Sequence, residues 1–79
     1  MSTFYPQIQL SIFKMEDYKR EILGKSFICQ LRDKTFKCLV KNIIPSQPDN
    51  LPCSIDVKIV SGQNEEIPIL SIERLTLIE

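Results

Sequence analysis

The closing stretch Glu65-Glu66-Ile67-Pro68-Ile69-Leu70-Ser71-Ile72-Glu73-Arg74-Leu75-Thr76-Leu77-Ile78-Glu79 reads as a short strand, one tight turn of helix and a second short strand. Small closed β-barrels typically end this way, so the segment restricts the architecture more than any other part of the chain. Ile67, Ile69, Ile72, Leu75 and Leu77 are its expected core and closure residues.

The rest of the chain agrees with a mainly β domain. From Ser26 onward the apolar period is two, the signature of half-buried strands. Phe27, Cys29 and Leu31 share one face, and Phe36, Cys38 and Val40 share the next inward face. A turn at Asp33-Lys34 pairs residues whose numbers sum to 67, placing Leu31 opposite Phe36, Cys29 opposite Cys38 and Phe27 opposite Val40. Asp-Lys lacks the Gly or Asn of the tightest hairpins, which leaves a one-residue shift open. Pro45 to Pro52 reads as a proline-stiffened loop. Cys53, Ile55, Val57 and Ile59 then alternate along a further strand, and Ser61-Gly62-Gln63-Asn64 forms a hairpin turn.

Ahead of these strands, Lys14 to Leu23 predicts a short helix with an apolar stripe of Met15, Tyr18, Ile22 and Leu23. Glu16 and Arg20 are spaced to pair across one helical turn, and Gly24 stands where a left-handed cap is expected. Pro6 to Phe13 alternates, with Ile8, Leu10 and Ile12 on one side, and reads as an extra N-terminal strand whose second half could join the helix. Met1 to Tyr5 reads as a loose lead-in.

Seventy-nine residues make one domain, 1–79, near the lower limit for a self-sufficient core. Ten Lys/Arg balance ten Asp/Glu, which argues mildly against a nucleic-acid binder. The balance hides a segregation. Residues 1–41 hold eight cations against four acids, and residues 42–79 hold two against six. In a barrel these halves interleave into a mixed, solvated surface; the sharper alternative is a dipolar surface that docks head to tail on a copy of itself. No segment approaches the ~20 apolar residues of a membrane span. Met1 to Leu10 lacks the basic start and apolar run of a signal peptide, so the expectation is a cytoplasmic protein without a membrane partner.

Catalytic chemistry is hard to place. The sequence has no histidine, which removes the commonest general base and metal ligand. Gly24 and Gly62 are isolated, so no loop cradles phosphate. Three cysteines without CxxC spacing read as reduced, buried thiols, with a cross-strand Cys29–Cys38 disulfide and a zinc site including Cys53 as the minority readings. The chain is therefore expected to be no enzyme, with no catalytic residue, no metal and no cofactor.

At Leu31-Arg32-Asp33-Lys34, and at Ile67-Pro68 through Ile72-Glu73-Arg74-Leu75, the chain resembles the Sm-like barrels of the SH3-like group. The resemblance covers about residues 15–79 and implies a short N-terminal helix ahead of a bent five-stranded barrel. Lys34 stands where that family usually has Gly, and Cys38 near where a second Gly is usual. The Asp and Asn of RNA-binding members have no match beyond Lys41-Asn42, and the Arg-Gly of their second motif is missing. Small Sm-like inhibitors of the transcription-termination factor Rho are similar in length and element order.

The expected fold is thus mainly β (α+β): a helix, a five-stranded SH3/Sm-like barrel and an extra N-terminal strand. The expected function is a non-enzymatic protein-interaction or regulatory module that binds another protein or itself. Strand edges and the Pro45–Pro52 loop, with Asp49 and Asn50, would make the contact. The alternative is an Sm-like RNA- or DNA-binding protein or a regulator of transcription termination. It would use the basic hairpin residues Lys25, Arg32, Lys34, Lys37 and Lys41.

Overall fold

The alternating segments become six antiparallel strands of one sheet in a computed structural model that describes residues 3–78. In chain order the elements are β1 (Phe4–Pro6), α1 (Gln7–Leu10), α2 (Met15–Glu21), β2 (Ser26–Leu31), β3 (Thr35–Pro45), β4 (Pro52–Ile59), β5 (Asn64–Pro68), a 3₁₀ turn (Ile69–Ser71) and β6 (Ile72–Leu77). The fold is mainly β, as expected, and the closing strand–turn–strand is where the sequence placed it. Strands β2 to β5 form a meander. The 3₁₀ turn then carries the chain across, so that β6 pairs with the far side of β2 and β1 pairs outside β6. The sheet is open, with β1 and β5 as its edges.

One core serves all six strands. Tyr5, Phe27, Val40, Ile55, Ile67 and Leu75, one from each strand, belong to a single buried cluster. Tyr18 and Ile22 close it from the helix side. The helix stops as expected: Gly24 adopts φ +79° and its N–H donates to the Val40 carbonyl at 2.9 Å. Gly62, at φ +98°, completes a three-residue β4–β5 hairpin in which the Ile59 N–H donates to the Gln63 carbonyl at 2.8 Å.

The first hairpin keeps its expected faces but not its register. The Leu31 N–H donates to the Lys34 carbonyl at 2.8 Å, so the turn is Arg32-Asp33 rather than Asp33-Lys34. Phe27 opposes Cys38 and Cys29 opposes Phe36. Every partner has moved by two positions, which preserves the inward side of each residue; a slip of one would have turned one strand's inward set, with its cysteine, outward. The observed pairs each set a ring against a slim thiol, which fills the layer more evenly than Cys opposite Cys.

Four other expectations are corrected. Pro6–Phe13 is not a strand beyond Pro6, which ends β1. Gln7–Leu10 is the helical turn α1, and Ile8 is 76% and Ile12 74% exposed while Leu10 is buried. Two polar side chains hold that turn in place. The Gln7 amide donates to the Ile69 carbonyl at 2.9 Å and to the Ile72 carbonyl, and the Tyr18 hydroxyl donates to the Leu10 carbonyl at 2.7 Å. The extra N-terminal strand lies earlier, and the supposed lead-in supplies it: Tyr5 is buried, with Phe13 and Phe27 edge-on at 5.8 and 6.1 Å. Met1 and Ser2 lie outside the described residues. Arg20 pairs with Asp17 at 2.9 Å and with Glu21 at 3.6 Å rather than with Glu16. Finally, Cys53 is exposed, because it is the extra residue of a bulge between the Ile44–Ser54 and Pro45–Pro52 pairs.

Candidate functional site

Three segments far apart in sequence meet on one side of the molecule. The 3₁₀ turn follows extended Pro68, buries Ile69 and drives Leu70 outward, leaving it 86% exposed. The Gln7 amide grips this turn at both ends and so fixes α1 beside it. The link from α1 to α2 then presents Ile12 outward, while Phe13 packs edge-on to Tyr18 at 5.6 Å. The third segment is the β3–β4 loop. Asn50 adopts φ 57° and its N–H donates to the Ser46 carbonyl at 2.9 Å, while the Ser46 N–H donates to the Leu51 carbonyl at 2.8 Å. This closed loop holds Leu51 out, 54% exposed.

Between these segments lies a groove of about 360 Å³, lined by Leu10 to Lys14, Leu51 to Cys53, Ile69 and Leu70. Lys14 and Leu51 also line an adjoining depression with Met15, Glu16, Lys19 and Asn50. On the other side Leu70 leads into a depression lined by Leu31, Arg32, Asp33, Ser71 and Glu73. The three depressions adjoin, the first two sharing Lys14 and Leu51 and the third set off by the protruding Leu70, and together they form a trough-like face that is apolar in the middle and charged at both ends.

At the α2 end the charges are locally organised. The Asp17 carboxylate accepts the Lys14 N–H at 2.9 Å and pairs with Arg20. The backbone hydrogen bond first, and Arg20 with it, hold its pKa below the usual carboxylate value. A lysine cannot accept a hydrogen bond, so this is half of a capping box.

The expected binding residues do not converge. Arg32 and Asn50 line opposite ends of the trough. Asp49 is exposed in the loop. Lys34 pairs with Glu65 at 3.7 Å and lies over the Phe36 ring at 5.4 Å. The Lys25 ammonium donates to the Arg20 carbonyl at 3.4 Å. Lys41 is the extra residue of a bulge between Val40 and Asn42. Lys37 lines a separate depression with Lys58, Leu39 and Val60.

Among the described residues, no three Cys, Asp or Glu side chains gather as metal ligands. Cys29 and Cys38 are free and buried. The hydrogen bond with Cys38 and then burial push the Cys29 thiol up, which keeps it protonated and a poor nucleophile.

Sequence reasoning missed Ile12, Cys53 and Leu70. One signal pointed to Leu70: in Ile67-Pro68-Ile69-Leu70 it is the apolar residue that the inward pattern does not use. The fold and trough define a small, mainly β domain with an exposed apolar groove. Neither family models, nor curated proteins, nor solved structures contain a match to this chain. Among the described residues no helix is long and apolar enough to cross a membrane.

Proposed function

We propose that this chain is a non-catalytic binding module of the cytoplasm that meets a protein surface through the trough. The observation that carries the reading is the exposure of Ile12, Leu51 and Leu70 around one groove, since contiguous exposed apolar surface marks interaction sites. The Pro45–Pro52 loop contributes through Leu51 and Pro52. The strand edges contribute less. β1 is three residues long and ends on Pro6, while β5 carries Glu65 and Glu66 and ends on Pro68. Short length, charge and proline are the devices that keep edges from pairing.

Nucleic acid is the weaker candidate. The five hairpin cations are dispersed, and Phe27 and Phe36 offer little ring surface for stacking, the first being buried and the second half-buried. We also propose kinship to the Sm-like barrels. The helix ahead of the meander and the 3₁₀ turn before the last strand support it.

The reading is tested by comparing wild type with Leu70→Glu as captured from extract and as sized alone. The expected result is an assembly, with itself or another protein, that wild type forms and Leu70→Glu loses while its circular dichroism is unchanged. No difference between the two in any assembly would sink the proposal.

A further inference from the structure

The two ends of the trough carry opposite charge. The α2 end has Lys14 and Lys19 against Glu16, and the β2–β3 end has Asp33 and Glu73 against Arg32. From this geometry we infer that the occupant of the trough is a second copy of this chain, docked face to face about a two-fold axis through the groove. The inference rests on the binding-module reading and names its partner.

A two-fold axis lying in the interface and perpendicular to the trough reverses one trough relative to the other. Each basic end then lies over an acidic end, twice per dimer, and the apolar middles meet. Running the two troughs in the same direction would set like charge on like. A standard interface takes about 800 Å² from each partner, which is roughly a seventh of the 5283 Å² this chain exposes. The face from α2 past the 3₁₀ turn to the β2–β3 hairpin would have to supply that share. Cys53 lines the middle groove and is exposed, whereas Cys29 and Cys38 are buried. The symmetric contact therefore brings the two Cys53 side chains toward the axis.

Sedimentation of the full chain from micromolar to millimolar concentration is the test, together with a short bis-maleimide that reaches Cys53. The expected result is a mass that rises to that of a dimer and stops there, with cross-linking that requires Cys53. Leu70→Glu should be monomeric, with Ile12→Asp as a second variant should the first fail to fold. Lys19→Glu should weaken the dimer several-fold, and adding Glu73→Lys to it should restore most of the loss. A monomer throughout, growth past the dimer, or a dimer indifferent to both apolar variants overturns the inference. A monomer whose capture of a foreign protein still depends on Leu70 would overturn self-docking alone and leave the binding-module reading standing.

Discussion

Tyr18 shows how one side chain can serve two layers of the structure. Its ring belongs to the buried cluster, edge-on to Phe13, and its hydroxyl donates to the Leu10 carbonyl at 2.7 Å, tying α2 to α1. Burial raises its pKa above the ordinary 10.0, because the phenolate would lose its hydration. Tyr5 is raised too, by burial first and then by the nearby Glu21 carboxylate. A folded-state pKa above the unfolded one means that the native chain holds its proton longer. The corresponding stability is complete below the unfolded value of about 10 and drains away as pH rises toward the folded value. Urea unfolding followed between pH 7 and 11 should therefore show stability level at first and falling above about pH 10. Tyr18→Phe should cost about 1–3 kcal/mol at pH 7, for a buried carbonyl left unpaired. It should also make the alkaline decline shallower, since one of the two raised phenols is gone. An unchanged slope would mean that Tyr18 reaches water in the native state.

The helix stop makes a cleaner local case. Gly24 holds φ +79°, and a Cβ built there meets nothing within 4 Å. The penalty of Gly24→Ala is then backbone strain alone, about 1–2 kcal/mol. Thermal unfolding of that variant checks it; a loss under about 0.5 kcal/mol would mean that the chain relaxes φ without cost. Elements of this kind were readable from the sequence because a single local rule decides them. The stripe of Tyr18 and Ile22, the glycine after it, and the alternation on both sides of Pro68 each required one conformation. The first hairpin was half readable. Alternation sets which face is inward, but Arg32, Asp33 and Lys34 carry no glycine or asparagine to pin the turn, so the register came out two residues away. Residues Gln7 to Leu10 misled because a four-residue turn is too short to display a helical period. What holds it is Gln7 reaching carbonyls more than sixty positions away. The trough was illegible for the same reason: its walls come from three distant segments, and periodicity assigns no face to a residue in a loop.

The molecule as a whole leans on residues 4–12. The sheet is open, and β1 adds to it at β6, with Phe4, Tyr5 and Pro6 opposite Thr76, Leu75 and Arg74. Tyr5 enters the same cluster as Phe27 and Leu75, and Leu10 enters it from α1. A domain of this size has a total stability of about 4–12 kcal/mol. Truncating a buried aromatic side chain costs about 3–5 kcal/mol, so Tyr5→Ala removes a large part of that total. Phe4, one residue earlier, is the internal control. It is 47% exposed and stacks with the Arg74 guanidinium at 4.7 Å, an exposed contact of about 0.5–1 kcal/mol. Urea unfolding followed by both circular dichroism and tyrosine fluorescence should show one transition, coincident in the two probes, for wild type and both variants. Phe4→Ala should shift its midpoint slightly and Tyr5→Ala severely. Two separate transitions, or a Tyr5→Ala cost no larger than that of Phe4→Ala, would show β1 to be a flap laid on a core complete without it. The trough would then lose its footing as well, because Gln7, which ties α1 to the 3₁₀ turn, follows directly on the strand that Tyr5 anchors.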